Sequence, residues 1–371
     1  MKLQTYLILG CLAGVVLISS LAQTMKFGVT VKPGPMDSIL LKDYAPESSL
    51  VVPQTTVAKA RFPAIDVHSH SNQSHIKTAQ DVDDWVRTMD DVGIETTVVF
   101  TGATGDAFDR QAQLFLSRHP GRFQVWCSLD TANIDSPDYA ERVVRELERC
   151  YRKGARGVGE ITDKGSGIQS ASLPRDKRLH FDDPRLAGVW KKCAELHIPV
   201  NVHIADHPSC WKPLGPHQER TPDFQHFNQY GKDVWSYEEL IASRGRLVSK
   251  HPHTTIIACH FGNQGNDLAS LAKELDRYPN LMVDLSARDY EIGRQPRTAA
   301  KFLTKYRQRV LYGTDMERDA NMYRGWWRLL ETADEFIPGR LWWRYYGLEL
   351  PAPVLQSIYR DNARRILNWQ K

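Results

Sequence analysis

The chain has 371 residues and a mass of 42.4 kDa, which is enough for one large domain or two of ordinary size. Hydrophobic residues make up 42% of the sequence and charged residues 25%, proportions that are typical of soluble globular proteins. The formal net charge of +4 is small and the basic residues are dispersed, which argues against a nucleic-acid-binding surface.

The first 22 residues have the pattern of an export signal. Lys2 gives a positive start, residues 7–21 form an apolar run, and Ser20-Leu21-Ala22 places small residues where a signal peptidase cleaves. We therefore expect export to the periplasm or the exterior, with a mature chain that starts near Gln23. An uncleaved membrane anchor is the alternative, although the run is short for a bilayer span of about 20 residues.

The next segment, residues 23–60, is rich in Pro, Ser, Thr and Lys and lacks sustained periodicity, so we expect an extended leader there. A single domain over residues 61–371 should follow. The five cysteines beyond the signal are dispersed and form no CxxC pair: Cys127, Cys150, Cys193, Cys210 and Cys259. Most are expected to be buried free thiols, which behave as small hydrophobic side chains. Export would permit a disulfide, but the spacing of the cysteines does not require one.

From Ala64 onward, strand-like and helix-like patterns alternate. Eight mostly apolar stretches predict buried strands that begin near Ile65, Ile94, Phe123, Ala155, Ile198, Thr254, Leu281 and Arg309. Amphipathic patterns predict helices between them, for example over 81–92 with Asp81 as the cap, 139–153, 184–196 and 267–278. An eightfold strand–helix repeat with this spacing predicts an α/β fold of the (β/α)8 or TIM-barrel type.

The longest predicted connections follow strands 4, 5 and 8, over residues 162–183, 205–237 and 316–350. Each joins the carboxyl end of a strand to the next helix, so all three should rise around the mouth of the barrel. Their aromatic residues are candidates for a pocket wall, although each one alone is better explained by packing of its loop. They are Trp211, Phe224, Phe227, Tyr230, Trp235, Trp326, Trp327, Trp342, Trp343, Tyr345 and Tyr346.

Potential metal ligands stand at or near the ends of five strand-like stretches. They are His68 and His70 on strand 1, Glu160 on strand 4, His203 on strand 5, His260 on strand 6 and Asp315 on strand 8. Either His203 or His260 alone would suit an ordinary buried histidine. Because the carboxyl ends of barrel strands meet at one rim, however, the joint pattern predicts a metal site. Imidazole and carboxylate ligands suit Zn²⁺, and also Mn²⁺, Fe²⁺ or Ni²⁺.

This pattern resembles the amidohydrolase superfamily, in particular its amidohydrolase-related branch of metal-dependent TIM-barrel hydrolases. That branch also contains non-oxidative decarboxylases. The resemblance spans residues 64–371, and its motifs are specific in combination. They are His68-Ser69-His70, His203, His260-Phe261-Gly262, Gly313-Thr314-Asp315 and a closing helix over 358–367.

Glu160 leaves the number of ions open. Gly159-Glu160-Ile161 is similar to the Gly-Glu-Ile of TatD-type deoxyribonucleases, in which the glutamate bridges two metal ions. A bridging Glu160 would leave His68, His70 and Asp315 on the first ion and His203 and His260 on the second. Otherwise His68, His70, His203 and Asp315 would hold one ion, and His260 would be free for catalysis. The remaining alternative is that Glu160 pairs with a nearby arginine or lysine.

The resemblance implies hydrolysis of an ester, lactone or amide in a small cyclic or aromatic substrate. The ion would lower the pKa of water to roughly 7, and Asp315 would take the proton and pass it to the leaving group. His260, when it is not a ligand, would polarise the scissile carbonyl.

The main alternative is metal-dependent decarboxylation of an aromatic or related acid, which needs cations such as Arg288, Arg294 or Arg318 at the mouth. A TatD-like nuclease is a weaker third alternative, since the surface composition is nearly neutral. The expected partner is a small-molecule substrate, with no nucleic acid and no membrane after signal removal. The sequence leaves assembly into a homo-oligomer open.

Overall fold

The computed structural model describes most of the chain, and the predicted export signal lies outside the described residues. The described residues are 25–26, 29–30, 34–71, 76–215, 217–219, 222–316, 319–339 and 343–367. The chain divides into two compact units, Met1–Val51 and Val52–Lys371. In the first unit, strands Met25–Lys26 and Val29–Thr30 pair antiparallel, and short 3₁₀ helices follow at Pro35–Ser38 and Leu41–Asp43.

The second unit contains eight parallel strands, each of which begins within three residues of its predicted start. They are β1 (Ala64–His70), β2 (Ile94–Phe100), β3 (Phe123–Trp126), β4 (Val158–Asp163), β5 (Val200–Ile204), β6 (Ile256–Ala258), β7 (Leu281–Asp284) and β8 (Val310–Leu311). Most of their residues are buried, which is why they appear in the sequence as apolar runs rather than as alternating patterns.

Helices alternate with these strands. They are α1 (Ala79–Val92), α2 (Gly105–Leu116), α3 (Tyr139–Arg152), α4 (Ala187–Glu195), α5 (Tyr237–Lys250), α6 (Leu268–Arg277), α7 (Asp289–Arg294), α8 (Pro296–Lys305), α9 (Ala320–Glu331), α10 (Ala352–Gln356) and α11 (Asn362–Ile366). A π-helical turn, Ser357–Asp361, joins the last two. A short antiparallel pair, Ile337–Pro338 with Arg344–Tyr345, lies between α9 and α10.

Backbone hydrogen bonds join the strands into a closed ring. One sheet has the order β1-β2-β3 and the other β4-β5-β6-β7-β8. Cys127 and Val158 form a bridge between β3 and β4. On the opposite side, the amide of Val67 donates to the carbonyl of Tyr312 over 3.0 Å, and the amide of Asp315 donates to the carbonyl of His68 over 2.9 Å. The predicted TIM barrel is therefore confirmed.

Two hydrophobic layers support the barrel. A small cluster fills its interior, and a larger one packs between the strands and the helices. Strand β1 contributes side chains to both clusters. Ile65 and Val67 belong to the interior cluster, and Ala64 belongs to the outer one. The pairing of β1 with β2 is irregular between Asp66 and Ser69.

The start of α1 corrects one detail of the sequence analysis. The N-cap is Thr78, whose side chain accepts a hydrogen bond from the amide of Asp81, and the Asp81 carboxylate accepts from the amide of Thr78 over 2.8 Å. Asp81 is therefore the N3 residue of a capping box and not the cap itself.

All five cysteines beyond residue 22 are buried, and no disulfide joins them within the part of the chain that the structure describes. In the same part, no helix combines the length and the apolar character that crossing a bilayer requires.

We expect Gly313→Ala to destabilise the barrel. A Cβ at position 313, in the segment that follows β8, would lie 2.9 Å from the Cβ of His68 on β1, which is too close for an ordinary contact. Relieving that contact should cost about 1–3 kcal/mol of unfolding free energy, measurable by chemical denaturation. Gly325→Ala is the control, because a Cβ there meets nothing within 4 Å. Equal stability of the two variants would contradict the packing argument.

Candidate metal centre

The carboxyl ends of strands β1, β4, β5, β6 and β8 bring together all six side chains that the sequence analysis singled out. They form two groups, each with ligand atoms that lie within 4.8 Å of one another. The first group is His68, His70 and Asp315, and the second is Glu160, His203, Cys259 and His260. The barrel thus places donors distant in sequence within coordinating range of common points.

In the first group, one carboxylate oxygen faces two imidazoles. Asp315 Oδ1 lies 3.6 Å from His68 Nε2 and 3.3 Å from His70 Nε2. Both histidines come from β1, and their ring centroids are 5.4 Å apart. The two imidazoles therefore approach from the same strand, as the two-residue spacing predicts.

In the second group, Glu160 Oε1 is the common partner. It lies 2.6 Å from His203 Nδ1, 3.0 Å from His260 Nε2 and 3.3 Å from Cys259 Sγ. His260 Nε2 is also 3.1 Å from His203 Nδ1. These four side chains are almost entirely buried, so little water competes for their lone pairs.

Glu160 also contacts the first group through its other oxygen. Oε2 lies 3.2 Å from His70 Nε2 and 3.9 Å from His68 Nε2. Among the described residues, its ion-pair partners are histidines and include no arginine or lysine. Within the described chain, Glu160 thus pairs with imidazoles of both groups, and its carboxylate lies between them.

Asp284, at the end of β7, holds ligands of both groups in place. Its Oδ2 lies 3.0 Å from His68 Nδ1 and accepts a hydrogen bond of 3.1 Å from Asn201 Nδ2. Its Oδ1 accepts from the amide of His260 over 3.0 Å and from Ser286 Oγ over 2.5 Å. Because one ring nitrogen of His68 is fixed in this way, the other is directed at the candidate centre.

His260 and Asp315 are oriented by their backbones as well. The Nδ1 of His260 lies 3.0 Å from the carbonyl of Ser286, which leaves Nε2 facing Glu160 Oε1 over 3.0 Å at the candidate centre. Both residues have left-handed φ values, 55° and 52°. Asp66 accepts hydrogen bonds from Thr314 Oγ1 over 2.7 Å and Tyr323 Oη over 3.0 Å, which ties the segment before Asp315 to β1 and α9.

The electrostatics of the first group favour a cation. Burial alone would lower the pKa of His68, but the charges of Asp284 and Asp315 outweigh it and raise that pKa to about 10. Burial would raise the pKa of Asp315, yet the neighbouring His68 and His70 hold it below its usual range. Without an ion, the site therefore keeps its carboxylates ionised by retaining protons on imidazole.

In the second group, burial and the nearby His260 and Lys164 lower the pKa of His203 to about 4, so its ring is neutral near pH 7. Burial would raise the pKa of Glu160, but the adjacent imidazoles hold it well below its usual value. Neutral imidazole beside ionised carboxylate is the donor combination that divalent transition metals bind.

Three buried polar atoms support this fit. His68 Nε2, His203 Nε2 and Asp315 Oδ1 have no hydrogen-bond partner among the described residues. Buried polar atoms without partners are uncommon in folded proteins, and an ion is one of the ordinary explanations. The residues present therefore suit a divalent metal, held by His68, His70 and Asp315 on one side and by Glu160, His203 and His260 on the other.

Sequence analysis missed Cys259 and Asp284. Asp284 ends the apolar run Leu281-Met282-Val283, which is the same signal that marked Asp315, and Cys259 directly precedes His260. Several of the candidate pocket aromatics serve packing instead: Trp327 is buried against Tyr312 and Tyr359, with ring centroids 4.9 and 5.0 Å away. Trp342 and the side chain of Phe224 lie outside the described residues.

We expect Asp284→Asn to weaken metal binding about 10–100-fold while the barrel stays folded. Asparagine keeps the shape of the side chain but loses the charge that His68 Nδ1 and the amide of His260 contact. Metal affinity would be measured by calorimetric titration of the metal-free protein. The control is Asp90→Asn, since that carboxylate is exposed and pairs with Arg122. Unchanged affinity in Asp284→Asn would exclude the positioning role.

We also expect metal loading to release protons above the usual titration range of histidine. The pKa of His68 is raised from 6.5 to about 10, so at pH 8 the metal-free site still holds a proton that an isolated imidazole would have lost. A metal must displace it, which predicts release of at least about one proton. Titrations in buffers of different ionisation enthalpy measure this number, and a value near zero at pH 8 would contradict the assigned protonation.

Comparison with solved structures identifies the fold. A putative amidohydrolase from Staphylococcus aureus superposes with a TM-score of 0.54 at 16% identity, covering 82% of this chain and 99% of that one. The 2,6-dihydroxybenzoate decarboxylase from Rhizobium has a TM-score of 0.51 and 17% sequence identity, and the match covers 83% of this chain and 99% of that chain. A manganese complex of 5-carboxyvanillate decarboxylase from Novosphingobium aromaticivorans has a TM-score of 0.50 and 14% sequence identity, and the match covers 85% of this chain and 100% of that chain.

At these identities the structures establish a common fold and not a common reaction. No curated protein matches the sequence significantly. The amidohydrolase family model matches residues 64–369, which include every barrel strand and all six candidate ligands. A divalent metal ion is the cofactor that this match and the two ligand groups imply. The chain belongs to the amidohydrolase family of TIM-barrel enzymes.

Proposed function

We propose that the protein is a hydrolase that uses two divalent metal ions to cleave an ester, lactone or amide bond in a small cyclic or aromatic substrate. The observation that carries the proposal is the position of Glu160. Its Oε1 faces His203 and His260 and its Oε2 faces His70, so one carboxylate contacts both ligand groups. A carboxylate placed in this way could offer one oxygen to an ion in each group.

Bound divalent ions would supply Lewis acidity, which polarises a carbonyl and lowers the pKa of water to roughly 7. Hydrolysis joins the oxygen of water to the carbonyl carbon, breaks the bond to the leaving oxygen or nitrogen, and moves one proton to that leaving group. Asp315 is suited to carry this proton. Its carboxylate is ionised, and its Oδ1 faces His68 Nε2 and His70 Nε2 in the first ligand group.

The choice of metal follows from the donors. Four imidazoles and two carboxylates suit Zn²⁺ best, with Mn²⁺, Fe²⁺ and Ni²⁺ as the other candidates. The presence of manganese in the 5-carboxyvanillate decarboxylase complex makes Mn²⁺ the first of these to test.

Decarboxylation is the second candidate, because two of the similar structures are decarboxylases of aromatic acids. Two of the three arginines it could use, Arg288 and Arg294, already contact other side chains. Arg288 donates to Asn263 Oδ1 and lies 3.5 Å from Glu291. Arg294 pairs with Glu219 over 2.6 Å, and Arg318 lies outside the described residues. This engagement favours hydrolysis over capture of a substrate carboxylate.

The number of ions tests the two-ion site. We expect the parent protein to bind about two ions per chain and Glu160→Gln to lose at least one, since the amide removes the bridging charge. Elemental analysis after dialysis measures both. The matched control is Glu238→Gln, an exposed residue of α5. One ion in the parent, or two in Glu160→Gln, would count against the bridge.

We expect Asp315→Asn to lower turnover about 10²–10⁴-fold, because an amide cannot accept the proton. The comparison needs equal metal content in both proteins and a substrate from a panel of lactones, aryl esters and aromatic acids. Activity within about tenfold of the parent would show that Asp315 does not carry the proton. Uptake of ¹⁸O from labelled water into the acid product supports hydrolysis, whereas release of CO₂ without water consumption contradicts it.

A further inference from the structure

Cys259 lies in the second ligand group, beside three residues already described as suited to hold a metal ion. Its Sγ is 3.3 Å from Glu160 Oε1, and the same oxygen is 3.0 Å from His260 Nε2 and 2.6 Å from His203 Nδ1. Cys259 is buried, with 1% of its surface exposed. The sulfur and the two ring nitrogens therefore surround one carboxylate oxygen in a place that water hardly reaches.

The backbone explains how two consecutive residues can face the same centre. Side chains alternate between the two faces of an extended strand, so Cys259 and His260 would ordinarily point in opposite directions. Cys259 is extended, with φ −66° and ψ 169°, and its amide donates to the carbonyl of Val202 on β5 over 3.2 Å. His260 then takes a left-handed φ of 55°, which ends the alternation. The thiol and the imidazole can therefore both contact Glu160.

Hydrogen bonding explains only part of the position of this thiol. Sγ lies 3.4 Å from the carbonyl oxygen of Val202 and 3.3 Å from Glu160 Oε1, and both oxygens are acceptors. A thiol has one proton and is a weak donor, so it serves one of the two acceptors at a time. In the same group, the buried His203 Nε2 has no hydrogen-bond partner within the described chain. Both observations indicate that protein atoms alone do not complete this group.

We propose that Cys259 is a ligand of the second metal ion, together with Glu160, His203 and His260. Binding replaces the S–H bond with a bond between sulfur and the ion, and the proton leaves to solvent. Ligand atoms on one tetrahedral ion, with bonds of about 2.0–2.3 Å, lie about 3.3–3.8 Å apart. The four donor atoms here all lie within 4.8 Å of one another. This inference rests on the two-ion centre proposed above, but not on the reaction that the centre performs.

A sulfur ligand would make the two groups differ in the ions they prefer. Thiolate is a soft ligand that favours Zn²⁺, whereas carboxylate suits Mn²⁺. Together with Glu160, the thiolate would give the second group two negative charges, which compensate one divalent ion in a buried place. The first group, His68, His70 and Asp315, contains no sulfur. We therefore expect the second group to prefer Zn²⁺ over Mn²⁺ more strongly than the first.

Cobalt substitution of the full chain tests the proposal without a substrate. Co²⁺ bound to thiolate has a charge-transfer absorption band in the near ultraviolet, which identifies the sulfur ligand. We expect this band in the parent protein and its loss in Cys259→Ser and in Cys259→Ala. Cys193→Ala is the matched control and should keep the band, because Cys193 is also buried but belongs to neither group. Persistence of the band in both Cys259 variants would overturn the proposal.

Metal affinity gives a second measurement, in which Cd²⁺ is the probe for a sulfur ligand. Loss of even an outer partner of a ligand costs about 10–100-fold in affinity. We therefore expect the ratio of Cd²⁺ to Mn²⁺ affinity to fall at least about tenfold in Cys259→Ser, measured by competition titration. If Cys259 only packed beside Glu160, its replacement would change both affinities alike. An unchanged ratio would therefore contradict the ligand role.

The count of bound ions separates this proposal from the proposed function. Two Co²⁺ ions per chain without the charge-transfer band would overturn the role of Cys259 and leave the two-ion hydrolase standing. One Co²⁺ ion per chain, lost in His70→Ala and without the band, would overturn the two-ion centre and this inference with it. Two ions with a band that only the Cys259 variants lose would support both.

Discussion

The structure depends on one buried carboxylate, Glu160, which lies among four histidines. With Asp284 and Asp315 it concentrates negative charge where water is largely excluded, and such charge needs compensating positive charge and hydrogen-bond donors. In the metal-free site His68 retains a proton to a pKa of about 10 and supplies part of the compensation. A divalent ion supplies more charge in the same volume, so the electrostatics that raise the pKa of His68 are also those that attract metal.

Bringing these groups together imposes strain on the backbone at the ends of the strands. Ala205, His260, Ala287 and Asp315 follow β5, β6, β7 and β8, and each has a φ between 51° and 66°. Non-glycine residues rarely adopt this left-handed region, at a cost on the order of 1 kcal/mol each. The packed barrel below must hold them there, which explains why the rim can be strained while the interior consists of ordinary buried side chains.

The sequence predicts the barrel and its six candidate ligands well, because buried parallel strands leave apolar runs and each ligand interrupts or ends one. It does not predict what depends on contacts distant in the chain. Asp284 carries the same local signal as Asp315, but its role becomes visible only when His68 and His260 are seen to contact it. The irregularity of β1 and the two-sided contacts of Glu160 likewise depend on pairing geometry, which periodicity does not contain.

The same metal centre could serve hydrolysis or decarboxylation, so the reaction must be decided by what surrounds it. Arg288 is buried; its Nη2 donates to Asn263, its Nε lies 3.5 Å from Glu291 Oε2 without a hydrogen bond, and Lys164 pairs with Asp206 over 2.8 Å. Releasing either cation to hold a substrate carboxylate would leave a buried carboxylate uncompensated. A neutral carbonyl substrate requires no such exchange. The choice between the two reactions therefore depends on the charge pairing around the metal centre rather than on the ligands themselves.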